Sequence, residues 1–343
     1  MKNLLPRTKM LDEARQGIVN KNADPSQPAK PKGHNFIIEI LIFLAVTLVV
    51  EIVLGLPLAV METVNIMSSE EYAIATQQFQ NGELTMSEYQ SAVSALAMNV
   101  PQLPQLFMTA ITTILIMLFC RFIEKRSLAS MGFRKNGAVK EYLVGMVIGF
   151  GIFSLSVAIS LATGALKFGG LAQNINFGMI GLFFVGFLIQ GMSEETMCRG
   201  CFMISMTRRS PAALAVVVSS IAFGCLHLLN PGVHPLAIVN VSLFGIFAGV
   251  YVLKRGNIWG ACAMHSLWNF VQGNFYGIKV SGLSGLDTIF KMNSVEGKEL
   301  LNGGDFGLEG SIAVTIVLVI GTIVVLMTKT KQSELSETAV SVE

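Results

Sequence analysis

Charged residues are scarce in this chain: of its 343 residues only 13% are Asp, Glu, Lys or Arg, while 52% are hydrophobic. An average soluble domain contains about 25% charged residues, so this composition excludes an ordinary soluble protein and predicts one with many membrane spans. The formal net charge of +2 is also small, and it gives no basis for nucleic-acid binding. The expected partners are the lipid bilayer and molecules bound to it.

Cysteines suited to disulfide bonds are missing as well. All five cysteines lie within or beside apolar runs rather than in polar loops, so we expect no disulfide framework. Three of them, Cys198, Cys225 and Cys262, adjoin the polar motifs described below. Packing is the simpler role for these small side chains, and ligation of a soft metal ion is the alternative.

The start of the chain lacks the apolar core and the cleavage site of a secretory signal peptide. Residues 1–35 are polar and basic instead, and we expect them to form a flexible cytoplasmic tail. The first spanning helix then acts as its own uncleaved insertion signal.

Apolar runs of about 20 residues, the length of a membrane-spanning helix, recur along the chain. They cover residues 36–60, 103–122, 142–163, 179–206, 212–229, 236–253, 258–271 and 312–327. These runs predict an all-α fold, a polytopic transmembrane helix bundle of about eight spans in which the seventh is short. No convincing repeat relates the two halves of the sequence, which disfavours the transporters that are built from such repeats.

Lys and Arg residues concentrate in the N-terminal tail and in every second loop after it. By the positive-inside rule, this distribution predicts that both termini lie in the cytoplasm. The segments expected to face outward are 61–102, 164–178, 230–235 and 272–311. The first of these is long and acidic; we predict that it is a solvated connector, and a helical segment or one that lies on the membrane surface is the alternative.

Polar side chains inside the apolar runs form three motifs with the same spacing. These are Glu194-Glu195-x-x-x-Arg199, Phe223-x-x-x-His227 and His265-x-x-x-Asn269. Ionisable residues within a bilayer are costly unless they pair or line a wet cavity, so they usually mark a functional site. Residues four apart lie on one face of a helix, so the last two named residues of each motif lie on the same face.

The two adjacent glutamates are expected to have different roles, because successive helical residues point about 100° apart. Arg199 follows Glu195 by four residues and can neutralise it, so this pair is predicted to support the structure. No second cation lies near Glu194 in the sequence, and this residue shares a face with Gln190, which can hydrogen-bond it. A carboxylate in such a position suits a general base.

The chain contains four histidines, and only His227 and His265 lie in predicted spans. Either one alone is most simply an interior histidine, but both fall in the motifs, which favours a catalytic role. Asn269 carries an amide N–H that can stabilise an oxyanion, a contribution of about 3–4 kcal/mol to a barrier. Its structural alternative is hydrogen bonding between helices. Phe223 is predicted only to pack beside His227.

In this order the motifs resemble the EExxxR, FxxxH and HxxxN/D pattern of the CPBP family. That family comprises intramembrane proteases related to type II CAAX prenyl endopeptidases and to bacterial bacteriocin-processing or immunity proteins. The resemblance covers roughly residues 140–275. It implies an intramembrane endopeptidase that hydrolyses a membrane-bound protein or a hydrophobic or prenylated peptide.

The resemblance also implies a role for each motif residue. Glu194 would deprotonate a water molecule that His227 helps to hold. His265 and Asn269 would stabilise the oxyanion formed at the scissile carbonyl. Glu195 and Arg199 would support the site.

Use of a metal ion is the open part of this interpretation. Glu194, His227 and His265 match the ligand types of a thermolysin-like zinc site. However, the chain lacks a His-Glu-x-x-His motif, in which a spare glutamate acts as the base. Because Glu194 is the only unpaired acid evident in the motifs, we favour glutamate-activated water with no required cofactor. Zn²⁺ remains the alternative.

The predicted organisation has four parts. A basic tail (1–35) precedes N-terminal spans with an acidic outer loop (36–140), and a catalytic core (141–275) is followed by an outer loop, the last span and a cytoplasmic tail (276–343). The expected location is the cell membrane of a bacterium.

Two other functions fit the same residues. One is a proton-coupled transporter in which Glu51 in the first span extends a relay through Glu194, His227 and His265. The other is a catalytically silent immunity or scaffold protein that keeps the fold.

Overall fold

A computed structural model describes residue 5 and residues 8–16, 33–97 and 102–328. Over this part of the chain the fold is an all-α membrane bundle with one small two-stranded sheet, as the sequence predicts for the helices. The helices are α1 (Lys9–Gln16), α2 (Phe36–Met67), α3 (Glu70–Gln80), α4 (Met86–Ala97), α5 (Gln102–Leu118), α6 (Ala138–Ala162), α7 (Phe177–Glu195), α8 (Ile204–Met206), α9 (Ala212–Cys225), α10 (Pro235–Arg255), α11 (Trp259–Phe270), α12 (Glu299–Asn302) and α13 (Ile312–Met327). Turns of π-helix extend α5, α7 and α11 at Phe119–Ile123, Thr196–Met203 and Val271–Phe275.

Five helical segments are long and apolar enough to cross a membrane, so the chain is an integral membrane protein. They are Phe36–Met67, Gln102–Ile123, Ala138–Ala162, Phe177–Met206 and Pro235–Arg255. Helices α9 and α13 are shorter apolar helices, and α11, which corresponds to the short seventh run, has 12 residues. The total of about eight spans therefore stays a prediction.

Buried and partly buried ion pairs join several of the helix ends that the sequence predicts to be cytoplasmic. Arg208 Nη2 lies 3.2 Å from Glu39 and 2.7 Å from Glu124, and all three side chains are buried. Arg255 Nη2 lies 2.6 Å from Glu141. The first pairs join the start of α2 to the ends of α5 and α8, and the last joins the start of α6 to the end of α10. The orientation of these ends towards the cytoplasm stays a prediction.

The opposite end of the bundle is covered by the two small strands and the long segment before α13. Strands β1 (Leu166–Leu171) and β2 (Phe290–Ser294) pair antiparallel, although they are far apart in sequence. Asn230, in the turn after α9, donates a hydrogen bond to the carbonyl of Ser281 at 3.1 Å. Both strands belong to segments predicted to face outward, and their pairing requires the two segments to lie on one side.

Helix α11 is packed tightly between α6 and α7. A Cβ added to Gly149 of α6 would lie 2.3 Å from the carbonyl oxygen of Met264. On the other side of α11, a Cβ on Gly191 of α7 would lie 2.5 Å from Ser266 Oγ. Small residues allow this close backbone approach between membrane helices. The contacts fix the His265 motif on α11 against the Glu194 motif on α7.

Two regions outside the predicted spans contain helices, and in the acidic outer segment helix is one of the alternatives that the sequence offers. Within the tail predicted to be flexible, α1 buries Met10, Leu11 and Ala14 against the bundle. The acidic outer segment predicted to be a connector contains the end of α2 together with α3 and α4. The remainder of the tail predictions falls on residues 1–4, 6–7, 17–32 and 329–343, outside the described residues.

Candidate active site

The three motifs converge on one cavity of about 130 Å³. Helix α7 carries the glutamates, the turn after α9 carries His227, and α11 carries His265 and Asn269. All four residues predicted to be catalytic, Glu194 included, line this cavity. Much of the remaining wall is apolar and comes from α5, α10 and α13.

Glu195 and Arg199 form the predicted ion pair beneath the cavity wall. Arg199 Nη1 donates to Glu195 Oε1 at 2.9 Å, and both side chains are 0% exposed. The π-helical turn that contains Arg199 starts directly after Glu195. The guanidinium also lies 4.3 Å from the ring centroid of Phe223, a cation–π contact. Phe223 therefore supports the arginine as well as packing beside His227.

His265 joins the two adjacent glutamates. Its Nδ1 lies 3.0 Å from Glu195 Oε1, and its Nε2 lies 3.6 Å from Glu194 Oε2. A carboxylate only accepts hydrogen bonds, so Nδ1 carries a hydrogen and donates a hydrogen bond to Glu195. This bond fixes the orientation of the ring and leaves Nε2 facing Glu194. Glu195 thus binds one ring nitrogen of His265, and Glu194 faces the other.

Glu194 is held by a short chain of side-chain amides. Gln190 Nε2 donates to Glu194 Oε1, and Asn269 Nδ2 donates to Gln190 Oε1 at 2.9 Å. Glu194 Oε2 has no hydrogen-bond partner among the described residues. The sequence interpretation assigned the Asn269 amide to an oxyanion, but one of its two hydrogens is already used on Gln190, so one hydrogen is left for that role.

His227 lies in the turn that follows α9. Its Nδ1 is 2.9 Å from the carbonyl oxygen of Phe223, and the two rings meet edge to face at 4.9 Å. Since a carbonyl only accepts, Nδ1 is the donor and Nε2 is left as an acceptor. His227 lines the same cavity as Glu194. In the part of the chain that the structure describes, no hydrogen bond or ion pair joins it directly to that glutamate.

The structure adds an acid that the sequence interpretation did not include. Glu309 lies just before α13, is 8% exposed and lines the same cavity, so Glu194 is not the only acid available there. Its Oε2 accepts hydrogen bonds from Ser281 N at 2.6 Å, Ser281 Oγ at 2.9 Å and Gln272 Nε2 at 3.2 Å. Burial raises the pKa of Glu309, and the hydrogen bonds from Ser281 oppose this rise. The sequence signal for it is weak: an acid next to Gly310, separated by two residues from an apolar run.

The ligand types for zinc are present, but their arrangement does not fit a metal ion. His265 Nε2 and Glu194 Oε2 approach each other at 3.6 Å. Across residues 8–16, 33–97 and 102–328, however, no group of three or more His, Cys, Asp or Glu side chains is placed to hold a metal ion. His227 does not complete a site with the other two residues. Cys198, Cys225 and Cys262 are free thiols, and they form no such group either.

A comparison with protein families identifies the segment that carries the motifs. Residues 176–271 match the family model described as type II CAAX prenyl endopeptidase Rce1-like. The chain contains an Rce1-like domain. This domain includes all three motifs, which confirms the resemblance to the CPBP family, and Glu309 lies outside it. No curated protein and no solved structure gives a significant match.

The Rce1-like domain supports the function of a CAAX-type intramembrane protease in general. It runs from the start of α7 to the end of α11 and therefore contains each helix that contributes a motif. Such a protease acts at the bilayer on a membrane-associated substrate.

Proposed function

We propose that this protein is an intramembrane endopeptidase in which Glu194 activates a water molecule for attack on a peptide bond. One observation carries the proposal. Glu194 Oε2 accepts no hydrogen bond from the described residues, and it lies 3.6 Å from His265 Nε2 on the wall of a cavity. A buried carboxylate oxygen left free in this way suits a general base.

In the proposed reaction, Glu194 Oε2 takes a proton from water while the oxygen of that water attacks the scissile carbonyl carbon. His227 Nε2 accepts a hydrogen bond from the same water and orients it. The protonated Glu194 then transfers its proton to the leaving amine, so that one carboxyl group serves both steps.

The negative charge that develops on the carbonyl oxygen needs hydrogen-bond donors. The amide hydrogen of Asn269 that Gln190 does not use is one donor, and Nε2–H of a protonated His265 is a second. Glu195 accepts from His265 Nδ1 and keeps the ring in place, while Arg199 balances the charge of Glu195. Gln190 holds both Glu194 and Asn269 and is a positioning residue.

The proton-relay alternative receives little support from the placement of Glu51. This residue is exposed on α2, and it does not belong to the lining of the cavity that contains Glu194, His227 and His265. A catalytically silent immunity or scaffold protein remains the second candidate, because a fold does not by itself establish an activity. We propose a bacterial cell membrane as the location and a membrane-bound protein or a hydrophobic or prenylated peptide as the substrate.

The test uses full-length protein in detergent with a quenched prenylated peptide and a library of quenched hydrophobic peptides. We expect cleavage by the wild type, loss of cleavage in Glu194→Gln, and retention in the matched control Glu51→Gln. The control makes the same chemical change at a glutamate outside the cavity.

Two further measurements separate the alternatives. Cleavage that survives chelation supports the metal-free reaction, whereas loss on chelation with recovery on added zinc replaces it by the metal-dependent one. Absence of cleavage by the wild type contradicts the proposal: proton flux across liposomes then identifies the transporter, and its absence favours the silent protein.

A further inference from the structure

Glu309 is a second acid on the wall of the candidate active site. All of its described side-chain hydrogen bonds converge on Oε2, from Ser281 N, Ser281 Oγ and Gln272 Nε2. No donor reaches Oε1 among the described residues. The side chain is therefore anchored by one oxygen and offers the other to an occupant of the cavity.

Histidines are the basic side chains among the described residues of the cavity lining: His227 and His265 belong to it, and the charge of His227 opposes the rise that burial causes in the pKa of Glu309. Glu194 and Glu309 are its acidic lining residues, and neither Lys nor Arg appears among the described residues that line it. Arg199 lies close by but is already paired with Glu195. A buried carboxylate without a hydrogen-bonded Lys or Arg partner is costly, and a cation brought in by an occupant offsets that cost.

The surroundings of Glu309 suit a side chain with an aliphatic stem. Val280, Leu283 and Val314 line the same cavity. Lys and Arg pack such stems along apolar surface while their charged ends reach a polar partner. Their ends also supply the N–H donors that a free carboxylate oxygen accepts.

We propose that Glu309 forms a subsite for a basic side chain, Lys or Arg, which lies close to the scissile bond of a membrane-associated peptide substrate. The inference rests on the proposed endopeptidase function, and it adds a sequence preference to it. Glu309 is then a specificity-determining residue contributed by the chain beyond the Rce1-like domain.

The test compares quenched peptides that differ at one position, where Lys is replaced by norleucine. Norleucine keeps the whole aliphatic stem of lysine and removes its ammonium group. The substitution is moved through each position on either side of the cleaved bond. At one position we expect kcat/KM to be at least about tenfold higher for the Lys peptide, as for a charge-assisted hydrogen bond.

Two variants assign this preference to one carboxylate. Glu309→Gln should bring the ratio of the two kcat/KM values close to one, because the amide carries no charge. The control Glu296→Gln removes an exposed acid outside the cavity and should leave the ratio at its wild-type value.

Failure of the subsite proposal can be distinguished from failure of the proposed endopeptidase function. If the wild type cleaves no peptide, the endopeptidase proposal itself fails. If the wild type cleaves Lys and norleucine peptides equally at every position, the subsite is contradicted, whether or not Glu309→Gln folds. A preference that survives in Glu309→Gln likewise overturns the assignment.

Discussion

Removal of the Glu195 carboxylate should destabilise the protein through the charge it leaves behind. In Glu195→Ala, Arg199 remains 0% exposed and keeps only the face of Phe223, 4.3 Å away, as a described partner. Breaking one half of a buried ion pair costs about 3–5 kcal/mol. His265 also loses the acceptor that lies 3.0 Å from its Nδ1. We therefore expect Glu195→Ala to unfold at a clearly lower denaturant concentration and to accumulate poorly.

The measurement is equilibrium unfolding of purified protein in mixed micelles, followed by circular dichroism as the fraction of denaturing detergent rises. The double variant Glu195→Ala/Arg199→Met removes both charges. Because a buried pair can often be replaced by apolar residues at little cost, this variant should be more stable than Glu195→Ala alone. The control Asp305→Asn breaks the exposed ion pair with Lys279 and should change stability little.

Two results would refute this reasoning. Glu195→Ala could unfold at the same point as the wild type, in which case Arg199 finds another partner or water. The double variant could be no more stable than the single one, in which case the loss comes from packing or from His265 rather than from an uncompensated cation.

Four further predictions concern catalysis, packing and pH. Gln190→Leu should lower kcat by about tenfold or more and leave KM nearly unchanged, since the side chain positions Glu194 and Asn269; an effect on KM alone would contradict this in steady-state assays. Asn269→Ala should lower kcat by about 10²–10³-fold if it stabilises the oxyanion, and a change confined to affinity would argue against that role. Gly191→Ala should cost about 1–3 kcal/mol in the same unfolding assay, because its Cβ meets Ser266, whereas Gly181→Ala, with open space, should not. Burial raises the pKa of Glu309 above 4.5 in the folded protein, so its contribution to stability is present at low pH and falls as pH rises through the raised pKa. Glu309→Gln should flatten that slope, and an unchanged slope would show that another group titrates.

The fold class and the pairings within one motif or one helix could be predicted because both follow from local patterns. Apolar runs set the helices, and residues four apart identified the pairing of Glu195 with Arg199 and the hydrogen bond from Gln190 to Glu194. These relationships lie within one helix or its direct extension. Such pairs can therefore be identified from the spacing of residues in a single sequence.

Contacts between distant segments could not be predicted in the same way. The bond from Asn269 to Gln190 joins α11 to α7, and it depends on how far the two helices slide along each other. Glu309 reaches the cavity because the segment before α13 folds back onto the turn after α9 and the end of α11, where Ser281 and Gln272 hold its carboxylate. Its own sequence environment contains no helical spacing that relates it to the three motifs, so nothing local ties it to them.

The glycine contacts of α11 have a consequence for how a substrate reaches the reacting groups. With Gly149 and Gly191 seated against its backbone, α11 has no room to separate from α6 or α7 without losing that packing. The cavity wall is completed by other helices, and Leu106 of α5 and Leu318 of α13 form part of its apolar lining. Any opening that admits a peptide from the lipid is therefore expected to move α5 or α13, while α6, α11 and α7 stay in place and keep the spacing between Glu194 and His265 unchanged.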